Sequence, residues 1–275
     1  RQSDDLTTLP EDRWKILLST LPPPARSAKP IDLFKPISIK TLPYSDLCRG
    51  GGEKYAETLE GKGSRVWVMP IESDWDRWIL MGLFSWEIPY MHQTEIGETS
   101  IKENMITIFQ IEWERLNLDP KKRYWIYEFW SGQFLGEVPA RHEKPKVYPH
   151  PGDSRILLWG PQDDSLKIAF FGPSAKVLVI REAKDHPWVA GTSFHISGGL
   201  ELKNVKWDEE RGELSGELWR PPGQEGFILV AGVDGGKAMA KVADEDAPVI
   251  PSSNGSIKIP VITKRDVTPW IIKIA

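Results

Sequence analysis

Arg65–Glu72 (RVWVMPIE), Trp78–Trp86 (WILMGLFSW), Ile106–Trp113 (ITIFQIEW) and Tyr124–Trp130 (YWIYEFW) are the stretches on which the fold turns. Each is short and rich in β-branched and aromatic residues. Turn chemistry such as Asp119-Pro120 and Ser131-Gly132 separates them, the pattern of strands joined by tight connections. Arg155–Trp159, Leu166–Phe171 and Lys176–Arg181 (KVLVIR) continue the series. No helical periodicity intervenes, which argues against βαβ units and for an antiparallel β-sandwich over residues 65–185.

Downstream, Ala183–Trp188 (AKDHPW) reads as a boundary, and residues 186–275 as a second small β-domain. Its expected strands are Gly198–Leu200, Leu202–Trp207, Leu214–Trp219, Phe227–Val233, Ile257–Ile262 and Trp270–Ile274. Asp208–Gly212 and Pro221–Gly223 are turns between them, Gly232–Gly236 is a hairpin turn, and Pro248–Gly255 is a loop. The two β halves share no repeat period, so a propeller or solenoid is not expected. Upstream, residues 35–64 carry Pro36, Pro43 and Gly50–Gly52 and read as a connecting segment with one short strand near Ile37–Lys40. So long a connection suggests a loop that docks on a neighbouring domain.

The chain has one strong helical pattern. Thr8 can cap it, Pro10 tolerates the first turn and Glu11 occupies the capping-box position. Trp14, Leu17, Leu18 and Leu21 then fall on one face, and Pro22–Pro24 stops the helix. Such a single apolar stripe must be covered by something larger.

With 275 residues, one large or two medium domains are expected. The 40% apolar and 27% charged fractions are those of a globular chain. The net charge of −4, with both signs intermixed, offers no broad basic face, so neither nucleic acid nor an anionic membrane is an expected partner. No apolar run reaches the roughly 18 residues of a membrane span, and no basic leader precedes one. The lone Cys48 excludes an internal disulfide and a cysteine-cluster zinc site, and fits a cytoplasmic setting. His92, His142, His150, His186 and His195 are scattered without ligand spacing, so no metal site is expected. Gly50–Gly52 lacks a following Lys-Ser/Thr, and no cofactor is expected. Thirteen tryptophans are many for this length. Filling a β core is their plainer use, and stacking on sugar rings the alternative. Exposure of Trp75, Trp188 or Trp219 would discriminate.

The chemistry-bearing cluster is Ser3-Asp4-Asp5 with Arg1. Two acids before a helix can act as general acid and base, and Arg1 can clamp a hydroxyl or hold one carboxylate ionised. A solvated turn whose acids favour the helix N-terminus explains the same residues. Arg1–Asp5 (RQSDD), Leu9–Arg13 (LPEDR), Leu21-Pro22 and Pro30–Phe34 (PIDLF) resemble the end of the catalytic barrel in melibiase-type α-galactosidases. Those enzymes share a clan with the raffinose-synthase-like glycosidases. The likeness continues through Arg65–Val68, Gly82–Trp86, Tyr127–Gly136, Gly191–His195 and Val205–Asp208.

The resemblance implies residues 1–34 as the end of a (β/α)8 barrel, followed by the β-sandwich domains. It also implies retaining cleavage of α-galactosides by two aspartates. Asp4 would be the acid/base, Asp5 the weaker candidate for that role, and Arg1 and Ser3 the substrate-binding neighbours. The family's nucleophile sits on an earlier barrel strand in a Lys-x-Asp segment. An upstream barrel segment or partner chain would therefore have to supply it, and this chain alone is expected to be inactive. Opening on Arg1 rather than Met accords with a processed product or a fragment. A raffinose-synthase-type transglycosylase and a non-catalytic carbohydrate-binding β-sandwich are the alternatives.

Overall fold

The structure is a computed structural model that describes residues 10–21, 23–24, 27–33, 35, 37–43, 64–86, 90–92, 101–103, 105–138, 146–148, 156–162, 165–233 and 238–274. These form one α-helix, α1 (Glu11–Thr20), a short 3₁₀ helix (Trp113–Leu116) and a long series of strands. In the first part they are β1 (Lys29–Pro30), β2 (Ser38–Pro43), β3 (Val66–Glu72), β4 (Arg77–Ser85), β5 (Tyr90–His92), β6 (Ile101–Glu103), β7 (Met105–Glu112), β8 (Tyr124–Glu128), β9 (Gln133–Glu137), β10 (Lys146–Tyr148), β11 (Ile156–Gln162), β12 (Ser165–Phe171) and β13 (Ser174–Glu182). There follow β14 (Trp188–Thr192), β15 (Leu202–Asp208), β16 (Glu213–Trp219), β17 (Glu225–Ala231), β18 (Ala238–Val242), β19 (Glu245–Ala247), β20 (Ile250–Pro251), β21 (Ser256–Ile262) and β22 (Val267–Ile274). The fold is mainly β, as expected.

A six-stranded antiparallel sheet, ordered β1-β3-β4-β13-β8-β9, lies at the centre. Successive side chains on its strands point to opposite faces. Val66, Val68, Met81, Ile126 and Leu178 share a buried cluster with Phe109, Ile111, Leu158 and Ile168 of the five-stranded sheet β10-β11-β12-β7-β2. Met69, Trp78, Tyr127 and Val179 belong instead to a cluster with Val189, Leu202, Ile228 and Leu229. Those last residues come from the two C-terminal sheets, β14-β17-β21-β20 and β15-β16-β22-β18-β19. The central sheet is therefore buried on both faces. That accounts for near-continuous apolar runs such as YWIYE, where a one-sided sheet would alternate. Each fully buried large apolar side chain contributes about 1.5–3 kcal/mol.

Several local expectations are corrected. Gly198–Leu200 is a turn and no strand, because Gly198 and Gly199 take positive φ of 71° and 143°. Residues 183–187 lie outside any strand, and Trp188 opens β14, a strand not expected there, which pairs with β17. The loop expected at Pro248–Gly255 contains β20. The short strand foreseen near Ile37 extends to Pro43 as β2, paired along six residues with β7 at a sheet edge.

Helix α1 has Pro10 as its N-cap residue, without a side-chain cap, and a Glu11–Lys15 ion pair of 2.8 Å on its surface. None of its side chains is fully buried. Leu17 and Leu18 are half-buried, whereas Trp14 and Ile16 are exposed.

Candidate functional site

The end of α1 meets the C-terminal sheets where three chain segments converge. Ile196 N–H donates to the Ser19 carbonyl (2.7 Å). Trp219, the last residue of β16, lies opposite Glu201, with Trp219 N–H donating to the Glu201 carbonyl (2.8 Å). Trp219 and Arg220 directly precede Pro221-Pro-Gly223, which turns the chain away from the sheet. Arg220 is 6% exposed and donates from Nη1 to the Leu21 carbonyl and from Nη2 to the Phe194 carbonyl, each at 2.6 Å. The carbonyl at the C-cap of α1 is thus held by a buried guanidinium, a charge-assisted contact stronger than a neutral one.

These segments enclose a cavity of about 330 Å³. Pro23, Pro24 and Leu200 wall it, Trp219 stands at its mouth with 52% exposure, and the buried His195, Glu201 and Arg220 line its base. Ser197 N–H donates to His195 Nδ1 (3.2 Å), and Ser197 Oγ lies 2.6 Å from the same nitrogen. Glu201 Oε1 accepts from the Thr192 hydroxyl. Burial pushes the Glu201 carboxyl above its usual range, and the Thr192 bond and the Arg220 and Arg181 charges only partly offset this. Burial likewise lowers the Arg220 pKa, with Glu201 opposing. Glu201 is the one carboxyl among the described residues lining the cavity. Retaining glycoside cleavage needs two carboxyl groups about 5–5.5 Å apart, and the described lining of this cavity supplies one.

The Glu201 shift has a testable sign. A carboxyl whose folded pKa lies above its unfolded value binds its proton more tightly when folded. Stability is then fully present below the unfolded value, near 4.5, and declines as pH rises through the folded pKa. The isosteric Glu201→Gln, which can still accept from Thr192, is expected to remove that decline. The difference in Tm between variant and parent should grow in the variant's favour from pH 4 toward pH 7, by about 2–4 °C per kcal/mol. A difference that stayed constant or fell with pH in thermal melts would refute it.

A second polar constellation lies deeper. Arg181 is fully buried, with Nη1 donating to Asp76 Oδ2 (2.7 Å) and Nη2 to the Gly198 carbonyl (2.9 Å). Its guanidinium carbon sits 3.7 Å from the Trp78 ring centre and 4.6 Å from that of Trp75. Trp75 Nε1 donates to the Leu202 carbonyl and Trp188 Nε1 to Asp76. Trp75 and Trp188 are thereby structural, and of the three tryptophans singled out in the sequence, Trp219 is the one that opens to a cavity. Trp67, Trp86 and Trp130 are also exposed, and Trp86 stacks on Phe84 at 5.4 Å.

The sequence-predicted catalytic pair Asp4 and Asp5, with Arg1 and Ser3, lies outside the described residues, as do Thr8, Cys48, His142 and His150. Among the described residues there is no cluster of three or more potential metal ligands, and no helix is long and apolar enough to cross a membrane. Glu201 and Arg220 were missed in the sequence, where nothing local sets Glu201 apart. Trp219-Arg220 ahead of two prolines was the available signal, an aromatic and a cation at a strand end. No protein-family model matches the chain, and no curated protein matches it by sequence.

Proposed function

We propose that the chain is the C-terminal part of a retaining glycoside hydrolase acting on α-galactosides or related α-glycosides. Its described residues would serve as the β scaffold that seats the segment bearing Asp4. The supporting observation is the Arg220 anchor: a buried guanidinium ties the Leu21 carbonyl, at the end of the helix that follows Ser3-Asp4-Asp5, to the C-terminal sheets. Placing a catalytic acid to within an ångström requires a rigid support of this kind. In this reading Asp4 protonates the departing glycosidic oxygen and Asp5 is its weaker rival. Arg1 and Ser3 contact sugar hydroxyls, no cofactor takes part, and an upstream barrel segment or partner chain brings the nucleophile. One carboxyl is protonated to assist departure while the other attacks the anomeric carbon.

The test is hydrolysis of a chromogenic α-galactoside by this chain and by a version extended upstream, each beside its Asp4→Asn variant. Turnover is expected in the extended form alone and should disappear on substitution. Full activity of the extended Asp4→Asn enzyme, on activated and natural leaving groups alike, would remove Asp4 from the mechanism.

A further inference from the structure

A separate cleft of about 430 Å³ lies between α1 and the C-terminal sheets. The hydrogen bonds that tie α1 to those sheets come from its C-terminal end, at the Ser19 and Leu21 carbonyls. Nearer its start, Glu11, Trp14, Lys15 and Leu18 form one wall of the cleft. Ser193 and Phe194, which follow β14, and the Gly223–Glu225 segment leading into β17 form the other. The polar groups on both walls are open to water. Glu11 and Lys15 are 81% and 70% exposed, Glu225 is exposed, and Ser193 and Gln224 are half-buried. The Gln224 main chain is paired both ways with Thr263, its N–H donating to Thr263 Oγ1 and its carbonyl accepting from Thr263 N–H, each at 2.9 Å. Its side-chain amide, the Glu225 carboxylate and the Trp14 indole N–H make no hydrogen bond among the described residues. Ser193 Oγ accepts from Phe227 N–H (2.8 Å), which leaves its proton to donate, whereas Ser19 Oγ is already committed to the Ile16 carbonyl (2.7 Å).

This lining narrows the chemistry of a ligand. An anion would confront the Glu11 and Glu225 carboxylates. A cation would find Lys15 already in place, bonded to Glu11 at 2.8 Å, its pKa raised by that bond and charge and, to a smaller degree, by Glu225. A wholly apolar ligand would bury the amide, hydroxyl and carboxylate groups unpaired. A neutral polyol answers donors and acceptors together, since each hydroxyl both donates and accepts. Trp14, 36% exposed, adds an indole whose apolar face and N–H can meet the C–H face and the hydroxyl rim of a sugar ring. The volume falls within the ligand-pocket range of about 300–1,000 Å³, at its small end. We propose that the cleft between α1 and the Gln224–Glu225 wall is a non-catalytic binding site for a small neutral carbohydrate, a mono- or disaccharide.

Calorimetry and saturation-transfer NMR on the full chain would test it, with galactose, methyl α-galactoside, maltose and melibiose as sugar probes. Glycerol serves as the acyclic polyol, and acetate and ethylammonium as charged probes. Saturable binding of at least one sugar is expected, about tenfold or more tighter than any of the three controls. Trp14→Ala and Gln224→Ala, one on each wall, should each weaken it by about tenfold with Tm unchanged. Alanine favours the helix at the first position, so the loss there is not one of folding. Trp219→Ala, outside the cleft, should leave binding as it is. The proposal is overturned if no sugar saturates, if glycerol or a charged probe binds as well, if either wall variant leaves sugar binding unaltered, or if Trp219→Ala weakens it equally. Binding is read without hydrolysis, so loss of the glycosidase reading and loss of this one are separate results.

Discussion

Arg181→Met is expected to destabilise the protein by about 3 kcal/mol, the lower end of the 3–5 kcal/mol that breaking a buried ion pair costs. Methionine restores most of the volume, so the loss is mainly electrostatic. The guanidinium is fully buried between the Trp75 and Trp78 rings and bonded to Asp76 and to the Gly198 carbonyl. Burial lowers its pKa to about 10 against the opposing pull of Asp76, so it stays charged at neutral pH. Its removal strands the Gly198 carbonyl and leaves Asp76 with the Arg77 N–H at 2.8 Å, the Trp188 indole at 3.1 Å and Lys184 at 3.7 Å. Those surviving partners place the effect at the lower end. In urea unfolding the midpoint should fall with little change in slope. Adding Asp76→Asn should return part of the loss, because the stranded charge is then gone. A single-variant effect below about 1 kcal/mol would show that the tryptophan cage, and not the ion pair, carries the site.

Gly191→Ala is the second large effect, expected at about 1–3 kcal/mol. A β-carbon at Gly191 would stand 2.4 Å from Tyr127 Cδ1 and 2.7 Å from Cε1. The ring has no ready retreat, since Tyr127 is 1% exposed and its hydroxyl donates to the Thr192 carbonyl (3.2 Å). The cost comes from close approach of β14 to the central sheet and not from backbone conformation. Gly223→Ala separates these causes, because that residue has φ of 82° and nothing within 4 Å of the added carbon. It should lose only about the 1–2 kcal/mol of a left-handed alanine. Thermal melts with near-UV circular dichroism would show the Tyr127 environment disturbed in the first variant and preserved in the second. Equal melts and unchanged aromatic signals would refute the clash.

The strands of the central sheet were legible because they are dense in β-branched and aromatic residues and punctuated by turns. Their two-sided burial was not deduced, although Val66 and Val68 differ in parity from Met69 and Ile71, and both pairs are apolar. Strand β14 was hidden by Pro187 and by its shortness, and β20 has only two residues. Arg181 looked like the polar end of KVLVIR. Its parity with Val177 and Val179, and its register opposite Trp78, are what turn it inward. The cavity depends on Glu201 and Arg220 meeting across a sheet end and on Pro23 arriving from the far end of the chain, a contact that no local pattern records.

The register of β13 also bears on how the molecule is built during synthesis. It lies between β4 and β8, pairing with the first from Ser174 to Arg181 and with the second from Leu178 to Glu182. A nascent chain that has reached only Phe171 can form the β3–β4 and β8–β9 hairpins but cannot join them, since the strand between them has yet to leave the ribosome. Until then both hairpins display unpaired edges, the surfaces through which neighbouring polypeptides associate wrongly. Emergence of β13 as far as Glu182 is thus the step that converts two separate ribbons into a single sheet, and the C-terminal sheets can pack against it only afterwards.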